Sequence, residues 1–262
     1  MLLAMENVSA AYGKRTVLAG IDLAVDPGEV VVVLGPNGSG KSTLLRLACG
    51  LMLPREGRVL LDGRDTRTLE RRQAARLAAL APAEPFLDAP LTVAQVLADA
   101  AFARHRGWFP AADLREEVVR AAALFELEGL LPRHCGELST GERARLALAR
   151  CVLQASPLFL LDEPSGRLDY RHREMLVEWV RKEAAAGRGF LVAEHNLQVA
   201  QRLADRFVLL KNGRQAACCN RHRLDAATLE NIYGVRFTVA QSPEGRVLLP
   251  AGLSDTAAGG TL

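Results

Sequence analysis

Residues 30–43 confine this chain to a narrow set of folds. The apolar run Val30-Val31-Val32-Val33-Leu34 leads at once into Gly35-Pro36-Asn37-Gly38-Ser39-Gly40-Lys41-Ser42-Thr43, a complete G-x-x-x-x-G-K-[ST] loop. The helix-forming Leu44-Leu45-Arg46-Leu47 follows. A buried strand running through a glycine-rich turn into a helix is the arrangement that a triphosphate needs. The glycines let successive backbone N–H groups curl inward toward phosphate oxygens, and the helix start adds its positive dipole end. In this pattern Lys41 reaches the β- and γ-phosphates and the Ser42 hydroxyl holds Mg²⁺.

Of the 33 basic residues only four are lysines: Lys14, Lys41, Lys182 and Lys211. Arginine is used almost everywhere else, so the lysine in the loop points to a site where a compact ammonium fits among backbone amides and a planar guanidinium does not. The net charge of +3 is small and dispersed, which argues against a nucleic-acid partner. The arginines at 64, 67, 71, 72 and 76 are interrupted by Asp65 and Glu70 and read as a solvated face. The five cysteines lack a C-x-x-C pair, which fits small apolar residues in a reducing compartment. Cys218-Cys219 also admits a vicinal metal or redox pair. No stretch reaches the roughly 18–20 apolar residues that span a bilayer, and no secretory leader is evident, so a cytosolic protein is predicted.

Along the chain, residues 1–30 alternate apolar and polar positions between turn signals and predict short antiparallel strands. Arg58–Gly63 reads as a hairpin arm. From Leu69 to about Cys151 the pattern turns helical and alanine-rich, with helices predicted over Val93–Arg104 and Leu114–Leu127. Strand signals return at Leu158–Leu161, Phe190–Val192 and Phe207–Leu210. Asp225–Tyr233 predicts a short helix, Val247–Leu249 a strand, and Ser254–Leu262 a frayed end. Strands separated by helices imply a parallel sheet covered on both faces, with the helical block as an inserted subdomain.

Two further segments carry chemistry. Leu158-Phe159-Leu160-Leu161-Asp162-Glu163 is a buried strand ending in two carboxylates, where Asp162 can hold Mg²⁺ and Glu163 can orient or deprotonate a water. Such a pair is costly to bury unless a cation compensates it. Leu138-Ser139-Thr140-Gly141-Glu142 precedes a helix, with Ser139 or Thr140 as its N-cap, and a helix start of small residues is also an anion site. His195 follows the apolar 190–193 strand at the edge where open α/β sheets bind ligands.

Taken in order, the phosphate loop, Leu138–Glu142, Leu158–Glu163, Ser165-Gly166-Arg167-Leu168-Asp169 and Glu194-His195-Asn196 resemble the ATP-binding cassette (ABC) ATPases over nearly the whole chain. The resemblance implies a P-loop NTPase α/β core with a mixed sheet, an N-terminal antiparallel β subdomain and an inserted α-helical subdomain. Its implied boundaries are 1–82 with 157–215 for the ATP-binding core, 83–156 for the helical subdomain, and 216–262 for a C-terminal extension. It implies ATP and Mg²⁺ as ligands, with Gly35 to Thr43 around the phosphates, Tyr12 stacked on adenine, and Ser42 and Asp162 on the metal. It makes Glu163 the general base and His195 a γ-phosphate contact. Ser139, Thr140, Gly141 and Glu142 become the signature that faces the nucleotide of an opposite subunit, with Ser139 and Gly141 as donors to it, and Asp169 part of the dimer-facing loop.

Two departures stand out. The family carries a glutamine where the core meets the helical subdomain, yet this stretch reads Leu80-Ala81-Pro82-Ala83-Glu84-Pro85. Pro82 or Ala83 takes its place, the nearest glutamines are Gln73 and Gln95, and Glu84 is a conceivable substitute ligand. Thr140 replaces the usual glycine between Ser139 and Gly141.

One cassette with no membrane span and no coiled-coil insertion implies a stand-alone ATPase subunit. It would act as a homodimer of cassettes on separate permease subunits, at the cytoplasmic face of the inner membrane, with a periplasmic or extracellular substrate-binding protein in the complex. Leu229–Val235 resembles the ATPases of iron-complex importers that handle siderophores, haem or cobalamin, and the permease-docking surface is expected around Ala81–Pro90. The alternatives are a non-transport ABC ATPase and a weakly hydrolysing nucleotide-binding module.

Overall fold

In the computed structural model, residues 1–84, 90–102, 111–242 and 245–253 are described. Strands β1 (Leu3–Tyr12) and β2 (Arg15–Val25) form a hairpin. With β4 (Glu56–Leu61) and β5 (Arg64–Asp65) they make an antiparallel sheet ordered β2-β1-β4-β5. The central sheet has six strands, β10-β9-β3-β8-β7-β6: β3 (Val30–Leu34), β6 (Ala78–Ala81), β7 (Leu158–Asp162), β8 (Gly189–Ala193), β9 (Arg206–Lys211) and β10 (Arg214–Asn220). All neighbours in it are parallel except β10, which runs antiparallel to β9.

The strand period of two sorts side chains into two cores, one on each face of this sheet. From β3, Val30, Val32 and Leu34 enter one core, while Val31 and Val33 enter the other. β7 and β8 divide in the same way, which explains why their sequences are continuous apolar runs rather than alternating ones. Helix α1 (Lys41–Ala48) fills the second core together with the antiparallel sheet, through Leu44, Leu45, Leu47 and Ala48. The first core receives α3 (Val93–Phe102), α4 (Ala111–Ala123), α5 (Thr140–Gln154), α6 (Tyr170–Ala185) and α7 (Leu197–Leu203). Trp179 of α6 centres this core, with ring centroids 5.5, 5.3 and 5.7 Å from Phe125, Phe159 and Phe190.

The predicted strands are present; the helix expected over 93–104 is α3, with 103–104 outside the described residues, and that expected over 114–127 is α4, which ends at Ala123. Two further corrections concern other segments. The block from Leu69 onward holds α2 (Arg71–Leu77), but Ala78–Ala81 is a strand, although its alanines and leucine favour helix. Pairing with β7 over all four residues overrides that local preference. Past Gly213 the chain is more regular than its pattern suggests. β10 closes the sheet edge, and α8 (Ala226–Tyr233) leads into a hairpin of β11 (Val235–Ser242) and β12 (Gly245–Leu253). Gln201 pins β12 to α7, donating to the Leu248 carbonyl (3.2 Å) and accepting from its N–H (2.8 Å). Cys218 and Cys219 are adjacent on β10, both free thiols, the first exposed and the second half-buried. Ser254–Leu262 lies outside the described residues, as do 85–89 of the expected docking stretch.

Candidate functional site

Every strand of the parallel sheet that carries a predicted site residue ends at the same edge. In register, Val33 pairs with Ala193, and Ala193 with Asp162, so the segments following β3, β7 and β8 emerge side by side. The phosphate loop is built close against the sheet. A Cβ on Gly35 would lie 2.4 Å from the Leu210 carbonyl oxygen, so only glycine fits there. Gly40, the N-cap of α1, has φ +105°, and a Cβ on it would meet the Leu18 side chain at 2.5 Å.

Lys41 is buried at 5% exposure, and its ammonium donates to the carbonyls of Gly35 (2.8 Å) and Pro36 (3.3 Å). Burial holds it below the usual lysine range, against the pull of Glu163, Asp162 and Glu194. The Ser39 hydroxyl is buried without a partner. Asp162 is buried, and burial raises its carboxyl above the ordinary range against an opposing hydrogen bond from Ser42. Its Oδ1 is buried with no hydrogen-bond partner. A desolvated carboxylate oxygen beside a hydroxyl is a hard-oxygen set suited to a divalent cation such as Mg²⁺.

Glu163 sits at φ +50°, in the left-handed region, with its N–H donating to the Ala193 carbonyl (2.9 Å). Its Oε2 lies 3.4 Å from Nδ1 of His195. Strain of this kind at a loop carrying a carboxylate is typical of functional positions. Tyr12, at the end of β1, is 47% exposed. Its hydroxyl bonds Thr43 and accepts from Arg46 (3.1 Å), which holds its pKa below the usual tyrosine value and the ring beside the start of α1.

The signature segment is elsewhere. Ser139 caps α5 through a capping box, in which Ser139 Oγ accepts from the Glu142 N–H (3.3 Å) and the Glu142 carboxylate accepts from the Ser139 N–H (2.7 Å). This helix begins at Thr140, so of the two expected N-cap residues Ser139 is the cap. α5 packs on the face of the central sheet opposite α1. Ser139 and Thr140 are exposed. Asp169 caps α6, accepting from the His172 N–H (2.9 Å), which lowers its carboxyl below the usual range.

At the junction after β6, Pro82 and Ala83 line a small cavity of about 10 Å³ together with Asp162, Glu163 and Arg167. Glu84 does not substitute for the missing glutamine toward this carboxylate pair. It forms an ion pair with Arg167 (2.7 Å) in the loop after Glu163. Gln73 and Gln95 are both engaged in helix starts, accepting from the N–H groups of Glu70 and Thr92.

Two residues here escaped the sequence reading. Glu194 is fully buried and accepts from the N–H groups of Ser165 (3.1 Å), His195 (2.9 Å) and Asn196 (3.0 Å), tying the loop after Glu163 to the loop carrying His195. Its only sequence signal was its place before His195 at a strand end. Tyr233, from α8, accepts from the Gly35 N–H at 2.9 Å, and burial pushes its hydroxyl up to about 12. A contact spanning almost the whole chain leaves no local signal.

Comparison with known proteins bears on this geometry. A family model described as ABC transporter matches residues 18–166. A hemin import ATP-binding protein, HmuV, of Pseudomonas putida is 36% identical over 249 residues, which cover 93% of this chain and 96% of that protein. A solved ATP-binding subunit of an ABC transporter superposes with a TM-score of 0.78 at 30% identity, covering 90% of this chain and 96% of that one. A dimeric ATP-binding cassette in a post-hydrolysis state, bound to ADP and inorganic phosphate, gives a TM-score of 0.76 at 25% identity over 84% of this chain and 99% of its own. The glycine cradle, the paired carboxylates at the sheet edge and these likenesses agree: the chain belongs to the ABC transporter family and is one of its ATP-hydrolysing cassettes.

Proposed function

We propose that this chain powers a membrane importer of iron-siderophore, haem or cobalamin. It would do so as a homodimer of cassettes docked on permease subunits at the cytoplasmic face of the inner membrane, with a substrate-binding protein outside. The observation that carries the reading is the joint burial of Lys41 and the unpartnered Asp162 Oδ1 at one sheet edge, in a chain 36% identical to a hemin import ATP-binding protein. Among the described residues no helix is long and apolar enough to cross a membrane. On this reading residues 1–82 and 157–215 form the ATP-binding core, 83–156 the helical subdomain and 216–262 the extension.

The chemistry follows from the residues. The inward N–H groups of residues 35–43 and Lys41 bind the triphosphate, while Tyr12 offers its ring to adenine. Ser42 and Asp162 would hold Mg²⁺, which when bound offsets charge on the phosphate oxygens. Glu163, 3.4 Å from His195, takes a proton from the attacking water, and His195 faces the terminal phosphate. Ser139 to Glu142 lie across the sheet from α1, so they serve a nucleotide on a second copy. ATP then adds contacts only in the closed dimer, and hydrolysis withdraws them.

Reconstitution tests the reading. The chain, co-purified with a candidate permease of many spans, is expected to drive ATP-dependent accumulation of haem, a ferric siderophore or cobalamin in proteoliposomes. Intact ATPase activity with no uptake of any of the three would remove the importer assignment.

A second reading, a cassette with reduced turnover, is favoured by the apolar pair Pro82–Ala83 facing the carboxylates. An amide placed there would reach toward the metal and the attacking water. Ala83→Gln or Pro82→Gln is therefore expected to raise Mg-ATPase activity several-fold, because one polar group that positions water contributes on the order of 10-fold. Unchanged turnover in both variants would show that the missing amide does not limit the rate.

A further inference from the structure

A cleft of about 560 Å³ opens between α6, α7 and the C-terminal hairpin, away from the phosphate loop and used by none of the chemistry above. Its floor is apolar: Val199, Phe207, Leu224 and Leu248 are all buried. The Gln201–Leu248 bonds fix β12 against α7, so the cavity is preformed rather than opened by side-chain movement. Its rim is basic, with Arg173, Arg221, His222 and Arg246.

Among the described residues, Glu174 is the carboxylate that lines this rim, and Asp225 lies near Arg246. Glu174 is held by two hydrogen bonds from Arg202, the second at 2.7 Å. Asp225 caps α8 through the Thr228 N–H (2.7 Å) and feels the charge of Arg246. Among the described residues the cleft lining thus holds Arg173, Arg202, Arg221 and Arg246 against the carboxylate of Glu174. A volume of this size, an apolar floor and arginine forks at the mouth match a small organic molecule with an apolar body and an anionic head.

Arg173 connects the cleft to the catalytic edge. Its Nε donates to the Ser165 carbonyl (3.2 Å), in the loop between Glu163 and the Asp169 cap, and its guanidinium lies 5.5 Å from the Tyr170 ring centroid. We infer that this cleft binds a small amphipathic organic anion, and that the bound anion draws Arg173 from Ser165, loosens the loop after Glu163 and lowers ATP turnover. The inference does not depend on which cargo is transported. Arg173 prefers an anionic head group to a neutral carbonyl as its acceptor, because charge-assisted bonds are about twice as strong as neutral ones.

The probe is 8-anilinonaphthalene-1-sulfonate, compared with its uncharged relative N-phenyl-1-naphthylamine. Both are titrated by fluorescence into the full chain at saturating ATP, so that the phosphate loop is filled. The sulfonate is expected to bind at least about 10-fold more tightly than the neutral probe, the size of one charge-assisted contact. In Arg221→Glu/Arg246→Glu, which alters only exposed rim residues, that preference is expected to vanish. Saturating sulfonate is expected to slow ATP turnover several-fold in the parent and to leave the variant unaffected. Equal affinity for the two probes, or an anion preference that survives the double substitution, would overturn the site. Sulfonate that binds at the rim yet leaves parental turnover unchanged would overturn the link through Arg173.

Discussion

Replacing Glu163 by glutamine is expected to slow ATP hydrolysis by roughly 10²-fold or more, while ATP affinity stays within a few-fold of the parent. The substitution keeps the size of the side chain and removes its basicity. Backbone placement does not depend on the carboxylate, because the N–H of residue 163 bonds the Ala193 carbonyl whatever the side chain. The left-handed φ of +50° is retained, so the amide occupies the position of the carboxylate beside His195. Binding groups on Lys41 and the loop amides are untouched. The variant should therefore accumulate the ATP-bound dimer, visible as a shift in elution volume on adding Mg-ATP and as the absence of phosphate release in a single-turnover assay. Hydrolysis at the parental rate would place the base elsewhere, and a monomer that hydrolyses slowly would detach turnover from association.

The largest stability effect is expected at Trp179. Its ring meets Phe125 beyond the end of α4, Phe159 on β7 and Phe190 on β8, so one side chain joins the helical block to the central sheet. Trp179→Ala removes all three edge contacts from a residue only 6% exposed and leaves a cavity at the junction, at a cost of about 3–5 kcal/mol. Trp179→Phe should cost markedly less. Its ring can still stack, and the buried Nε1 has no hydrogen-bond partner to lose. Urea unfolding midpoints compared at unchanged slope measure both. A cost near 1 kcal/mol for the alanine variant would mean that the helical block and the sheet are not mechanically joined here.

Such a junction bears on function as well. The loop after Glu163, the Glu84–Arg167 pair and α5 all lie where helical block and sheet meet. A Cβ on Gly141 would come within 3.1 Å of the Arg167 carbonyl, so the start of α5 rests against the same loop. The start of α5 and the Glu84–Arg167 pair thus both contact the loop that follows Glu163.

Legibility in the sequence tracked how local each feature was. The phosphate loop was readable because strand, turn and helix start are contiguous, and each residue's task is set by backbone geometry within nine positions. The Asp162–Glu163 pair was readable because an apolar run ending in two carboxylates has few other stable uses. Strand β6 was misread because its alanines and leucine have no period of their own, and only pairing with β7 decides their conformation. The signature segment was legible as a helix cap, and its capping box is present, but that local role does not reveal which nucleotide it serves.

By itself, then, the amino-acid order determined the contiguous chemistry: the glycine cradle with Lys41 and Ser42, the carboxylates at the end of β7, and an alternation of strands and helices that admits little besides a covered parallel sheet. Only the tertiary structure decided the contacts between distant residues. Tyr233 reaches back to Gly35, Glu194 gathers the N–H groups of two loops, Glu84 turns to Arg167 rather than to the carboxylate pair, and the hairpin closes a basic cleft over α7. The physical reason is common to all four. A hydrogen bond or ion pair between residues far apart in the chain depends on how two cores pack against one sheet, and that packing leaves no periodic trace at either partner.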